Sequence, residues 1–167
     1  MKRFFLAVSI AIIFTTTSIA QSGNAKMIKL LEDYTELNQE FYKAYLHAET
    51  KKVVRLRKSI EATNMKKILP ALADIESQYC SSLDKQLLGA YTEMLESIEH
   101  SAFESPRYTF GKMYLCDPDG ILEAVKASEK PGQLAGDLEF GFENVVSDVD
   151  KARYDIPALR ARIAELR

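Results

Sequence analysis

The chain is predicted to fold as an all-α protein, a compact bundle of about five helices. Apolar side chains recur mostly at spacings of three and four residues, which is the period of an α-helix. Alternating runs of β-branched residues, which would indicate strands, are scarce. Gly and Pro interrupt helices, and among 167 residues they number only 7 and 5. Together these observations favour helices joined by short connections.

The first twenty residues are predicted to be a cleavable signal peptide. Lys2 and Arg3 precede a mainly apolar run at residues 4–14, and small residues lead up to Ala20. Signal peptides present basic, apolar and small-residue regions in this order. A membrane anchor is the alternative, but the apolar run is much shorter than the roughly twenty residues that a spanning helix needs. We therefore expect cleavage after Ala20 and a soluble mature domain.

The expected mature chain, residues 21–167, is long enough for one domain and too short for two comfortable ones. Cleavage removes two basic residues and no acid, so the net charge moves from −2 to −4. A general nucleic-acid binder would carry a clear basic excess, so that class of protein is not expected. The short basic start fits export to a bacterial envelope, and we expect a periplasmic or secreted protein.

Cys80 and Cys116 are the two cysteines of the chain. An even number of cysteines in an exported protein usually means a disulfide rather than free thiols. We therefore expect one Cys80–Cys116 bond. Closing a loop of this length would stabilise the fold by roughly 4 kcal/mol.

The first predicted helix follows Asn24, whose side chain is a candidate N-cap. Its apolar stripe consists of Met27, Leu30, Leu31, Tyr34, Leu37, Phe41, Tyr45 and Ala48. The pattern continues through Val53, Leu56 and Ile60. The helix therefore either runs on to about Ala62 or breaks near Glu49–Thr50, and periodicity alone does not decide.

A turn is expected around Thr63–Asn64, and Pro70 suits the first turn of the helix that follows, where a missing N–H costs nothing. This helix carries the longest apolar stripe of the chain: Leu72, Ile75, Tyr79, Leu83, Leu87, Tyr91, Met94, Leu95 and Ile98. Cys80 lies beside the stripe.

The segment Glu99–Gly120 is less regular, and whether it contains a helix is left open. Ser105 and Pro106 resemble an N-cap followed by a first-turn proline, which would place Phe110, Met113 and Tyr114 on one face, although Gly111 weakens that pattern. Asp117–Gly120 reads Asp-Pro-Asp-Gly and predicts a turn. An EF-hand spacing would put Leu115 and Lys126 at carboxylate positions, so a calcium loop is not expected.

Three further helices complete the predicted bundle. A short one is expected at Ile121–Ser128, stopped by Pro131–Gly132. The next carries the stripe Leu134, Leu138, Phe142, Val145, Val149 and Ala152. Asp155 and Pro157 then open a C-terminal helix with Leu159, Ile163 and Leu166.

Groups that could perform catalysis near neutral pH are few, because His47 and His100 are the two histidines. His47 has no His or Cys at helical spacing, and His100 is expected at a helix end, where a cation suits the dipole. No phosphate loop, nucleophile elbow or zinc helix occurs. A thiolate at Cys80 paired with His100 is disfavoured by the expected disulfide. Met27, Met94 and Met113 could ligate a haem or metal, but methionine on an apolar face usually fills a core. No enzyme activity, metal or cofactor is expected.

Two sequence features are candidates for partner binding. The first is a basic cluster: Lys51, Lys52, Arg55, Arg57, Lys58, Lys66 and Lys67, of which Lys51, Arg55 and Lys58 share one helix face. It is either a solvated face or a docking surface for an acidic protein or anionic lipid headgroups. The second is the aromatic set Phe103, Tyr108, Phe110 and Tyr114, which serves either recognition or local core cover. An acid-rich stretch also occurs at residues 129–150.

The expected function is protein–protein binding outside the cytoplasm, for example as a neutraliser of a toxin or exported enzyme, or as an accessory envelope subunit. The export signal, the thin catalytic set and the two candidate surfaces favour it. The alternative is a helical carrier of a small apolar ligand or lipid. Its cavity would be lined by the stripe aromatics Tyr34, Phe41, Tyr45, Tyr79 and Tyr91.

Overall fold

The computed structural model describes residues 2–82, 84–98 and 104–167, with the backbone alone for residues 2–22. The α-helices are Lys2–Leu46 (α1), Thr50–Thr63 (α2), Leu69–Ser82 (α3), Lys85–Ser97 (α4), Glu104–Cys116 (α5), Pro118–Ala127 (α6), Pro131–Val146 (α7) and Ile156–Ala164 (α8), and a π-helical turn, Asn64–Ile68, joins α2 to α3. No strand occurs within these ranges. The all-α prediction is confirmed, and the helices outnumber the expected five because two apolar stripes are each divided between two helices and the segment Glu99–Gly120 contains α5.

The predicted signal peptide lies in a part of the chain where no side chain is described. α1 passes through it and continues to Leu46. Its cleavage after Ala20 therefore stays a prediction. Within the described part of the chain, no helix has both the length and the apolar character needed to cross a membrane.

The expected turn at Thr63–Asn64 is wrong, because the chain remains helical there. Pro70 lacks an N–H, and in a regular α-helix its ring would clash with the carbonyl of Lys66. The π-helical turn just before it uses a wider hydrogen-bond spacing, in which the Leu69 N–H bonds to the Asn64 carbonyl. The helix can therefore pass the proline without ending.

The long stripe from Leu72 to Ile98 is divided between α3 and α4, contrary to the prediction of one helix. Asp84 is the N-cap of α4, and its carboxylate accepts the N–H groups of Gln86 and Leu87, each at 3.0 Å. Asn24 is not an N-cap, because it lies inside α1 and its amide donates to the same carboxylate. Asp84 therefore starts α4 and fixes α1 against the start of that helix. Leu83 lies outside the described residues.

The irregular segment between Glu99 and Gly120 does contain a helix, α5. It begins at Glu104, so Ser105 lies inside its first turn and is not an N-cap. Asp117–Gly120 is the start of α6 rather than a free turn. Pro118 takes the first helical position and the Asp117 carboxylate accepts the Gly120 N–H at 3.0 Å. Asp followed by Pro is as good a helix start as it is a turn, which the sequence pattern could not distinguish.

The two cysteines meet as predicted, with their sulfurs at disulfide distance and their Cα atoms 5.5 Å apart. The bond ties the end of α3 to the end of α5. One turn earlier, the Lys112 ammonium lies 3.2 Å from the Glu76 carboxylate and joins the same two helices. Cys80 and Cys116 are both exposed, so the bond braces the surface of the bundle rather than its core.

The C-terminal helices follow the prediction with shifted ends. Pro131 opens α7 at its first turn, and α7 ends at Val146, before the last two residues of the predicted stripe. The N-cap of α8 is Asp155, whose carboxylate accepts the Ala158 N–H at 3.1 Å.

The backbones of α5 and α7 approach each other closely where the two helices cross. A Cβ atom added to Gly111 would lie only 2.5 Å from the carbonyl carbon of Gly141, so the two backbones are in contact. Around this crossing the rings of Tyr114 and Phe142 lie edge to face with centroids 5.5 Å apart. The largest fully buried side chains of the described chain are Tyr34, Tyr79, Tyr91, Tyr114, Phe110, Phe142, Leu31, Ile68, Ile75, Leu87, Met94 and Met113.

Replacing Gly141 with Ala tests this contact. The new methyl group would meet the Arg107 backbone carbonyl, which no side-chain rotation can relieve. We expect the free energy of unfolding in urea to fall by about 2–3 kcal/mol. Gly136→Ala is the matched control, because Gly136 lies in the same helix with nothing within 4 Å of an added Cβ. It should raise stability by about 0.5–1 kcal/mol, and equal losses in both variants would contradict the crossing.

Candidate functional site

The basic cluster is positioned by a sharp reversal between α1 and α2. The Glu49 N–H bonds to the Ala44 carbonyl at 2.9 Å and the Ala48 N–H to the Tyr45 carbonyl at 3.1 Å, which is the Schellman pattern of helix ends. Ala48 occupies the position that usually holds glycine, with φ at 54°. α1 and α2 are therefore separate helices, and the break falls just before the predicted Glu49–Thr50.

α2 buries one side and exposes the other. Leu56 and Ile60 are buried, and apart from the adjoining π-helical turn, α1 is the one described element against which α2 packs substantially. Lys51, Val54, Arg55 and Lys58 lie on the opposite side and are exposed. We call these four residues the basic face.

The cations of the basic face have no ion-pair partner among the described residues. Their neighbours differ, since Lys52 lies 3.8 Å from Glu49 and Arg57 lies 3.1 Å from Glu61. Lys51, Arg55 and Lys58 therefore project an uncompensated charge of three from one side of a single helix. Such charge mainly accelerates association with an acidic partner and selects its sign.

Exposed apolar side chains accompany these cations. Val54, at one edge of the basic face, is 51% exposed, and Met65, at a continuing helical spacing, is 67% exposed. Tyr45 and Leu46, at the end of α1, are each 62% exposed. The prediction that Tyr45 belongs to the buried stripe is wrong, because the chain reverses there. The spacing of Val54 from Lys51 is the sequence signal that indicates this mixed face.

Within the acid-rich stretch, the three acids that lie on α7 are each paired with an arginine. The Asp137 carboxylate lies 2.6 Å from the Arg107 guanidinium and is buried. Glu143 pairs with Arg160 at 2.6 Å. Glu139 pairs with Arg167. α7 therefore offers a much less acidic surface than its sequence suggests.

The aromatic candidates separate into two groups. Phe110 and Tyr114 are completely buried, so they belong to the core and cannot meet a partner in this fold. Tyr108 is half-buried, donates its hydroxyl to Asp148 at 3.0 Å, and has the Lys112 ammonium 5.0 Å from its ring centroid. Phe103 lies outside the described residues. For Phe110 and Tyr114 the alternative interpretation of this segment, that its aromatic residues pack in the core, is confirmed.

The tyrosines proposed to line a carrier cavity are mostly core residues. Tyr79 is buried and donates its hydroxyl to the Asp117 carboxylate at 2.7 Å, and Tyr91 donates to the Pro106 carbonyl. Burial raises the pKa of Tyr34 to about 12. Phe41 is only half-buried. Tyr34, Tyr79 and Tyr91 therefore belong to the core, whereas Tyr45 is exposed.

An open groove follows α4, and we call it the α4 groove. One half, of about 570 Å³, lies between α4 and α6, and the other, of about 520 Å³, lies between α4 and the end of α1. The two halves share Gly89, Thr92, Ala127 and Ser128, so they form one continuous depression. Small side chains in its floor leave room for an elongated occupant.

The described chain holds no group of three or more His, Cys, Asp or Glu placed to bind a metal ion. His47 is exposed beside the reversal, and His100 lies outside the described residues. Met27, Met94 and Met113 are buried in the core.

Comparison with known protein families, curated proteins and solved structures gave no match to this chain.

Substituting Ala48 with Gly tests the reversal that positions the basic face. A left-handed conformation costs a non-glycine residue about 1–2 kcal/mol, part of which glycine loses again through unfolded-state entropy. We expect the free energy of unfolding to rise by about 0.5–1 kcal/mol. Ala62→Gly, at an exposed helical site in α2, should lower it by about 1 kcal/mol. A loss in both variants would show that Ala48 is not left-handed.

Replacing Glu143 with Gln tests the internal neutralisation of α7. The Arg160 guanidinium lowers the pKa of Glu143 below its ordinary value of 4.5. A carboxyl whose pKa is lower in the folded state stabilises the fold at pH values above its pKa in the unfolded chain. This stabilisation is lost as the pH falls through its pKa in the folded state. Since the pair is half-exposed, Glu143→Gln should cost under about 1 kcal/mol at pH 7 and nothing in strong acid. Urea titrations across this range would measure it, and a constant difference would contradict the ion pair.

Proposed function

We propose that this protein acts outside the cytoplasm, in the periplasm or as a secreted protein, by binding another protein through the basic face of α2. The partner presents an acidic surface with an apolar strip. Roles of this kind include neutralising a toxin or exported enzyme and serving as an accessory subunit of an envelope assembly.

The observation that carries the proposal is the combination of charge and exposure on one uncovered helix side. Three cations without ion-pair partners among the described residues lie next to Val54 on α2, and among the described elements α2 packs substantially only against α1 and the adjoining π-helical turn. Val54 and Met65 add exposed apolar side chains beside these cations. Protein interfaces commonly join an apolar centre to a charged rim.

Export is supported by the N-terminal sequence pattern and by the cysteine pair at disulfide distance, which suits an oxidising compartment. The carrier of a small apolar ligand remains the alternative function. It receives less support, because Tyr79 and Tyr91 are hydrogen-bonded core residues and Tyr45 is exposed.

The proposal is tested by affinity capture from envelope extract followed by quantitative mass spectrometry. Wild-type protein should retain a specific partner, and a variant with Lys51, Arg55 and Lys58 all changed to Glu should lose at least nine-tenths of it. The matched control changes Lys26, Lys126 and Lys151 to Glu, which alters net charge equally at exposed sites away from α2. The control should retain the partner, and equal loss in both variants would mean that only net charge matters.

A further inference from the structure

We propose that the basic face of one molecule docks in the α4 groove of a second copy of this chain. The inference rests on the proposed function, since it uses the same docking face, and it names one partner for that face. It also gives the α4 groove an occupant.

The charges of the two surfaces are complementary. Six carboxylates line the α4 groove: Glu93, Glu96, Asp117, Asp119, Glu123 and Glu129. Lys43, Lys85 and Lys130 also line it, which leaves a net charge of −3. The basic face carries three cations and no acid, so the two surfaces cancel.

Three of the six carboxylates already have partners within the chain. Asp117 accepts the Tyr79 hydroxyl, Asp119 pairs with Arg162, and Glu96 accepts the Lys130 N–H. Glu93, Glu123 and Glu129 are exposed and have no ion-pair partner in the part of the chain that the structure describes. Three unpaired anions of the groove therefore face three unpaired cations of the helix.

The lengths of the two surfaces also agree. The groove follows the 13 residues of α4, which at 1.5 Å per residue extend about 20 Å. The basic face alone covers residues 51–58, and together with the exposed Met65 beyond it the stripe extends about 21 Å by the same measure. Gly89 in the floor has nothing within 4 Å of an added Cβ, so it leaves space for Val54 or Met65 of the second copy.

This contact joins different surfaces of the two copies, so it forms either a closed dimer with two such contacts or a longer chain of molecules. One helix face buries less than the roughly 800 Å² per partner of a stable interface. We therefore expect association in the micromolar range, weakening with added salt.

Sedimentation velocity of purified protein with a charge exchange tests the inference. In one variant Lys51, Arg55 and Lys58 become Glu, and in the other Glu93, Glu123 and Glu129 become Lys. Wild-type protein should associate as its concentration rises, and each variant alone should remain monomeric, because its two surfaces repel. Losing each charge pair should weaken association roughly fivefold, or about a hundredfold for three. An equimolar mixture of the variants should associate again, since each face then meets a groove of opposite charge.

Circular dichroism and melting curves establish that both variants are folded. Monomeric wild-type protein at low salt, or a folded mixture that stays monomeric, would overturn the inference. Binding of wild-type protein to vesicles of anionic lipid without self-association would also overturn it. These failures leave the capture experiment intact, whereas self-association with no captured second protein would count against the proposed function alone.

Discussion

The close approach of α5 and α7 is the constraint on which the C-terminal part of the fold depends. Because neither Gly111 nor Gly141 has a side chain, the two backbones touch, and the residues on either side are brought into fixed contact. Arg107 reaches both the Asp137 carboxylate and, at 5.2 Å, the ring of Phe140. Burial raises the pKa of Asp137, and the Arg107 charge opposes that rise. The pair would be costly to bury without this geometry, since a desolvated carboxylate needs a close and well-aligned partner.

A second junction connects this region to the groove. The Asp117 carboxylate both caps α6 and accepts the Tyr79 hydroxyl, while the adjacent Cys80–Cys116 pair joins α3 to α5. Burial and the neighbouring Asp117 raise the pKa of Tyr79. Its hydroxyl therefore keeps its proton at neutral pH and donates a hydrogen bond to Asp117. One wall of the α4 groove is therefore held by a cap, a hydrogen bond and a covalent bond within a few residues.

The α1–α2 hairpin and the π-helical turn after it contain buried polar groups that make no hydrogen bond within the described chain, unlike this junction. Tyr34, Thr35 and Asn64 each bury a side-chain oxygen without a hydrogen-bond partner among the described residues. An unsatisfied buried polar group costs about 1–3 kcal/mol. The basic face lies next to this hairpin's unsatisfied groups and is exposed. Docking surfaces are often drawn from such regions, because their exposed side chains are not committed to the core.

The sequence alone determined that the chain is helical, which residues form most of the core, and that Cys80 pairs with Cys116. The 3.6-residue period is a local property, and two cysteines allow a single intramolecular pairing. It did not determine where the helices end, because Ala48 takes a position normally held by glycine and the π-helical turn carries Pro70 through a helix. Only the tertiary structure decided which candidate surfaces are free. Phe110 and Tyr114 are buried, with their rings against Tyr91 and Phe142. The acids of α7 are paired with distant arginines, and the α4 groove arises from helices far apart in sequence. These outcomes depend on contacts between elements, which the spacing of residues along one helix does not encode.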